Sequence, residues 1–103
     1  VIYELVEAEI KPGAEAAFEA AYAQATTLLQ RTPGCHSVRM LRGVEEPSKF
    51  RILIQWESLE HHTQGFRGSP DHQQLISLTR PHYLYPSLVQ HYTVVIDTEQ
   101  RAQ

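Results

Sequence analysis

The 103-residue sequence predicts an α+β fold in which one antiparallel sheet carries two helices on a single face. Three observations predict it. Hydrophobic residues switch between a period of two and a period near 3.6 in the order strand, helix, strand, strand, helix, strand. Pro, Gly, Ser or Asp punctuates the switches, and no repeat or low-complexity linker divides the chain. A chain of this length has room for one hydrophobic core, so residues 1–103 read as a single domain.

Each element follows from its residues. Val1 to Ile10 is β-branched and aromatic, interrupted by Glu4, Glu7 and Glu9, and stops at Lys11-Pro12-Gly13, which predicts a strand ending in a turn. From Ala14 the apolar residues Ala14, Ala17, Phe18, Ala21, Ala25, Leu28 and Leu29 form one helical stripe, ended by Thr32-Pro33-Gly34. His36 to Val44 alternates as a strand, Glu45-Glu46-Pro47-Ser48 makes a hairpin turn, and Lys49 to Trp56 returns as the partner. Phe50, Ile52, Ile54 and Trp56 then share one face. Ser58 is placed to cap a short helix through about Phe66. Ser69-Pro70-Asp71 starts a second helix with a hydroxyl cap, a proline at the first helical position and an acid in the first turn; it ends near Arg80-Pro81. Ser87 to Ile96 is the last strand, and Asp97 to Gln103 is a polar tail expected to fray.

This order is the split βαβ, or ferredoxin-like βαββαβ, sandwich. Its helices cover one sheet face and leave the other bare. The last strand is apolar on both sides, with Leu88, Tyr92, Val94 and Ile96 against Val89 and Val95, so the sheet of a second subunit is the expected cover and a homodimer the expected assembly.

Composition narrows the function classes. Hydrophobic residues make up 42% and charged residues 20%, an ordinary globular balance. A net charge of -3 with a pI near 6.0 gives no general attraction for phosphates, and Lys and Arg do not cluster, so nucleic acid is not an expected partner. Every apolar run, Val94-Val95-Ile96 included, is far short of a membrane span, and Val1-Ile2-Tyr3-Glu4 lacks the basic flank of a signal peptide. The single Cys35 agrees with a reducing compartment, and a cytoplasmic location is expected.

The chemistry concentrates after the third strand. Gln55-Trp56-Glu57-Ser58-Leu59-Glu60-His61-His62, followed by Phe66-Arg67-Gly68-Ser69-Pro70, puts an aromatic plate and a titratable ring at one sheet end. Trp56 reads equally as core packing, and His62, one turn before Phe66, as a filler of the helix–sheet seam. His61 reads as solvated, His72 as a first-turn surface residue and His91 as facing the dimer barrel. None of the six His falls at the i, i+4 chelate spacing, so no metal is expected. Cys35, in a Pro-Gly turn, reads as a small packed side chain. Arg39 and Arg51 read as hairpin neighbours, and the strand glutamates as ordinary strand charges.

Lys11-Pro12-Gly13 opening the first helix, Pro33-Gly34-Cys35 before strand two, Trp56-Glu57-Ser58 with His62 beyond, Phe66 through Ser69-Pro70, and the closing Gln90-His91-Tyr92 recur here in a particular order and spacing. Over nearly its whole length the chain resembles the antibiotic-biosynthesis monooxygenase superfamily of dimeric α/β barrels. That resemblance implies a homodimer and a cofactor-independent monooxygenase, using neither metal nor flavin, that oxidises a small aromatic, phenolic or hydroquinone-type substrate with dioxygen. It further implies Trp56, His62 and Arg51 as catalytic groups, with Tyr3, Tyr22, Arg39, Phe66, His72 and Tyr83, and also Tyr85, around the substrate. A dimeric small-molecule-binding or stress-associated protein of the same fold is the alternative, followed by an isomerase-type or haem-degrading member. Haem-degrading relatives carry an Asn early in strand one and a His within the second helix; the corresponding regions here offer Glu4 to Val6 and Leu75-Ile76.

Overall fold

In a computed structural model that describes residues 1–99, alternation along the strands sets two very different sheet faces. Strands β1 (Ile2–Glu9), β2 (Cys35–Arg42), β3 (Lys49–Trp56) and β4 (Leu88–Tyr92) pair in the order β2-β3-β1-β4, each neighbour antiparallel. Residues directly opposite in such a ladder point to the same side. Glu4 faces Ile54 and His91, Val6 faces Ile52 and Val89, and Val38 and Met40 face Ile54 and Ile52. One face therefore gathers the apolar residues, with Glu4 and His91 among them.

Helices α1 (Glu15–Gln30) and α2 (Pro70–Thr79) cover that face, completing the ferredoxin-like arrangement. Phe18, Tyr22 and Leu29 of α1 pack with Val6, Ala8, Ile10, Phe50, Ile52, Ile54, Trp56 and Phe66 in one core cluster. Tyr22, one turn after Phe18, joins the buried stripe, whereas Ala17 stays outside it. The helix α2 starts as its sequence predicts, with Ser69 Oγ accepting from the His72 N–H at 3.3 Å and Pro70 in the first turn. Asp71 accepts two bonds from the Arg31 guanidinium, at 2.6 and 2.8 Å, which ties the start of α2 to the end of α1.

Three boundaries differ from the sequence reading, each for a non-local reason. The last strand ends at Tyr92 instead of Ile96, because Tyr92 already pairs with Tyr3 and the ladder runs out at the start of β1. Val94, Val95 and Ile96, β-branched but without a ladder partner, are 51%, 89% and 81% exposed. The second strand stops at Arg42 instead of Val44, because the Gly43 N–H closes the hairpin onto the Lys49 carbonyl at 2.7 Å. The expected short helix is a π-turn over His61–Phe66, in which the Arg67 N–H reaches the His62 carbonyl, five residues back, at 3.0 Å. The expected tail is described to Glu99, whose N–H bonds the Asp97 carboxylate at 2.9 Å; 100–103 lie outside the described residues.

The opposite face carries Tyr3, Leu5 and Glu7 from β1, with Arg39, Arg51 and Leu53 beside them. No helix among the described residues covers it, and Leu41, Leu88 and Tyr92 stand about half exposed there. A groove of about 350 Å³ between Tyr3, Leu5, Arg39, Leu53 and Tyr92 runs across it. Among the described residues, no helix is long and apolar enough to cross a membrane.

Candidate functional site

Between the covered sheet face, α2 and the segment from Tyr83 to Ser87 lies a cavity of about 560 Å³, within the usual range for small-molecule sites. Its walls include Val6, Leu29, Ile54, Leu75, Ile76 and Val89, with the aromatic rings of Tyr22, Phe66, Tyr83 and Tyr85. Into this apolar volume the period of β1 delivers a carboxyl group. Glu4 has the same parity as Val6 and Ala8, so its side chain enters the core, where it is 5% exposed.

The carboxyl is held from two sides. Trp56, the last residue of β3, donates its indole N–H to Glu4 Oε1 at 2.9 Å, and His62 Nε2 lies 3.3 Å from the same oxygen. The other nitrogen of His62, Nδ1, is 2.7 Å from His91 Nε2. Buried His62 thus sits at ion-pair distance from the Glu4 carboxyl and at hydrogen-bond distance from half-buried His91. With His62 neutral and its proton on Nε2, Nδ1 accepts from the His91 Nε2–H. The His62 ring stacks on Trp56 at 5.3 Å and 21°, and Phe66 meets His72 edge-on at 5.3 Å.

Backbone geometry sets this stack. The Glu57 N–H bonds the Gly34 carbonyl at 2.7 Å, and Gly34, at φ +88°, packs beneath the π-turn so closely that a Cβ would lie 2.3 Å from the His61 ring. Only glycine meets both demands without displacement. The turn is then free to seat His62 directly over Trp56.

Burial decides the charges. It raises the Glu4 carboxyl from 4.5 to about 7, although the Trp56 bond and the Arg67 guanidinium pull the other way. Burial likewise lowers the His62 imidazole from 6.5 to about 3, helped by Arg67, His91 and His72. His72 and His91 are lowered too, by burial first and then by Arg67. The Tyr22 and Tyr83 phenols are pushed up, mainly by burial, and stay protonated donors at neutral pH. Near pH 7 the Glu4–His62 pair is therefore poised to hold or release one proton beside an apolar cavity.

Of the residues singled out in the sequence, His62, Phe66, His72, Tyr22, Tyr83 and Tyr85 come together on the cavity wall. Trp56 stands behind them, fully buried against Glu4 and His62. Tyr3, Arg39 and Arg51 do not join them: their strand parity sends them to the uncovered face, where Arg51 pairs with Glu7 at 3.1 Å. His91 faces inward instead of toward a dimer barrel, because its ladder partner is Glu4. His72 is half buried on the cavity wall instead of free on the surface, and His61 packs over Gly34 instead of standing in solvent. Glu4, Arg67 and Arg80 also line the cavity and were not singled out as site residues. The parity of Glu4 with Val6, Ala8 and Ile10 was the signal for the first; the arginines, each just past the end of a helical element, have no comparable local signal. Among the described residues, no three His, Cys, Asp or Glu side chains converge to hold a metal ion.

An acid and an imidazole buried together under a ferredoxin-like sheet, beside a cavity of small-molecule size, define a small α+β protein with a candidate ligand site. The chain belongs to the antibiotic biosynthesis monooxygenase family, whose model matches residues 1–77. It is 34% identical over 92 residues to the uncharacterized protein YczJ of Bacillus subtilis (strain 168), covering 89% of this chain and 97% of that one. The crystal structure of an antibiotic biosynthesis monooxygenase-type protein from Bordetella bronchiseptica matches with a TM-score of 0.89 at 36% identity, over 92% of this chain and 97% of its own. SnoaB, a cofactor-independent oxygenase from Streptomyces nogalater, matches with a TM-score of 0.85 over 96% of this chain and 97% of its own; at 16% identity the likeness is one of fold.

Proposed function

We propose that the protein is a cofactor-independent monooxygenase that oxidises a small, electron-rich aromatic substrate of phenol or hydroquinone type with dioxygen. The observation that carries this reading is the cluster of buried Glu4 and His62 with half-buried His91 beside a cavity with apolar and aromatic walls. Membership of the family supports it, and SnoaB is a cofactor-independent oxygenase built on the same fold.

In this reading Glu4, with its carboxyl held near 7, accepts the proton of the substrate hydroxyl or acidic carbon, and His62 and His91 pass it outward. The resulting anion gives one electron to dioxygen, and the radical pair recombines to a carbon peroxide. Loss of the remaining proton on that carbon breaks the O–O bond, so that one oxygen atom stays as a carbonyl and the other leaves as water. All four electrons taken up by dioxygen come from the substrate and the C–H bond it loses. Trp56 positions Glu4, while Tyr22, Phe66, His72 and Tyr83 hold the ring and the apolar walls keep bulk water from the peroxide. Tyr3, Arg39 and Arg51 fall outside this site; we assign Tyr3 and Arg39 instead to the contact of a homodimer, which the uncovered, half-apolar sheet face supports, and Arg51 to its pair with Glu7. A cytoplasmic location goes with the free thiol of Cys35.

Oxygen uptake by the metal-chelated protein against hydroquinones, anthrones and simple phenols tests the reading. Uptake above the uncatalysed rate, falling in His62→Ala, is the expected result. No uptake with any of them, while a substrate analogue still binds, would replace the oxygenase by a ligand-binding protein.

A further inference from the structure

The charge on the cavity wall runs against the charge of the chain. The sequence has a net charge of -3, yet among the described residues the wall carries two guanidiniums, Arg67 and Arg80, and a single carboxyl, Glu4. Burial holds that carboxyl near 7, so it offers at most part of a negative charge at neutral pH. The cations elsewhere are mostly spoken for: Arg31 is bound by Asp71, Arg42 by Glu19, Lys49 by Glu46 and Arg51 by Glu7. No carboxylate among the described residues pairs with Arg67 or Arg80. Arg67 and Arg80, both exposed, line the same cavity as half-buried His72. Two unpaired guanidiniums around an apolar cavity attract an anion and repel a cation.

We infer that Arg67, His72 and Arg80 form an anion subsite, and that the natural ligand is an aromatic carboxylate: a flat ring for the apolar walls and a carboxylate for the guanidiniums. The inference rests on the cavity being the ligand site and narrows the substrate class of the proposed oxygenase. The guanidinium fork takes a carboxylate in two parallel bonds, and the start of α2 offers little of the backbone N–H cradle that phosphates commonly use, since Pro70 has no N–H and that of His72 is taken by Ser69 Oγ at 3.3 Å.

A matched pair of redox-stable probes tests this by binding, with no turnover involved. The protein should bind 6-hydroxy-2-naphthoate about tenfold or more tightly than 2-naphthol, the increment expected of a charge-assisted hydrogen bond. That advantage should shrink with added salt. In the double variant Arg67→Gln, Arg80→Gln the carboxylate probe should lose about tenfold while 2-naphthol stays within about twofold, so the neutral probe reports that the cavity is intact. Equal affinities in the parent protein, a double variant that weakens both probes alike, or binding of neither probe would each overturn the subsite. Oxygen uptake is judged separately: carboxylate preference without uptake would keep the subsite and remove the oxygenase, and uptake on neutral phenols without carboxylate preference would do the reverse.

Discussion

Glu4 and Glu7 stand three residues apart on one strand and live in different chemical worlds. Glu7 points to the uncovered face and pairs with Arg51 in contact with solvent. Glu4 points to the covered face, where Trp56 and His62 are its partners and burial raises its carboxyl to about 7. The odd step along β1 exchanges one face for the other. What separates a surface ion pair from a carboxyl poised near neutral pH here is desolvation, since both glutamates have polar partners within hydrogen-bonding or ion-pair reach.

The largest effect separating the faces should be on turnover. Glu4→Gln keeps an acceptor for the Trp56 indole but cannot take a proton, and should lower oxygen uptake roughly 10²- to 10³-fold. Glu7→Gln, on the other face, should leave uptake within about twofold. Comparable losses in both would break the contrast.

A second effect appears in stability against pH. Glu4, raised in the fold from 4.5 to about 7, contributes stability that is complete below pH 4.5 and lost as pH rises through about 7. His62, lowered from 6.5 to about 3, contributes stability that is complete above pH 6.5 and lost as pH falls through about 3. Between pH 4.5 and 6.5 these slopes oppose one another, each on the order of 1 kcal/mol per pH unit, and the native protein should be nearly flat there. Glu4→Gln leaves the histidine slope, so its urea midpoint should fall toward acid. His62→Asn leaves the glutamate slope, so its midpoint should fall toward neutral pH. Slopes of the same sign in the two variants would show that the residues do not trade a proton.

Trp56→Phe should cost about 2 kcal/mol, because it removes a fully buried ring edge and a donor to a buried acceptor. It should also move the limb of the pH–rate profile that depends on Glu4 upward, since the indole bond favours the carboxylate. An unmoved limb would take Glu4 out of the rate equation. Arg51→Gln is the smallest change, below about 0.5 kcal/mol by thermal unfolding, because its pair with Glu7 lies in solvent.

Local periodicity made most of the fold legible. The alternation of Phe50, Ile52, Ile54 and Trp56, the capped start at Ser69-Pro70 and the stripe of Phe18, Ala25, Leu28 and Leu29 all reappear in three dimensions. The end of β4 was not legible, because strand extent depends on a partner 89 residues away in sequence, with Tyr92 opposite Tyr3. The site divides along the same line. Trp56, His62 and Phe66 are close in sequence and meet in space. Glu4 was read as a strand charge of the kind that edges carry, whereas β1 is an inner strand flanked by β3 and β4, with no edge to solvate it. Tyr3, Arg39 and Arg51, which the family resemblance implies for the pocket, lie on the strand parity opposite the helix-covered side.

The π-turn has the form of a chain carrying one residue more than an α-turn needs. A single deletion between His62 and Phe66 would let the segment relax into ordinary helix, but would rotate one ring away from the other by about 100°. Trp56 and Phe66 could then no longer both flank the imidazole. The local spacing therefore acts as a ruler: substitutions at Thr63, Gln64 or Gly65 alter its markings, while a change in their number alters its length and dismantles the contact with Glu4.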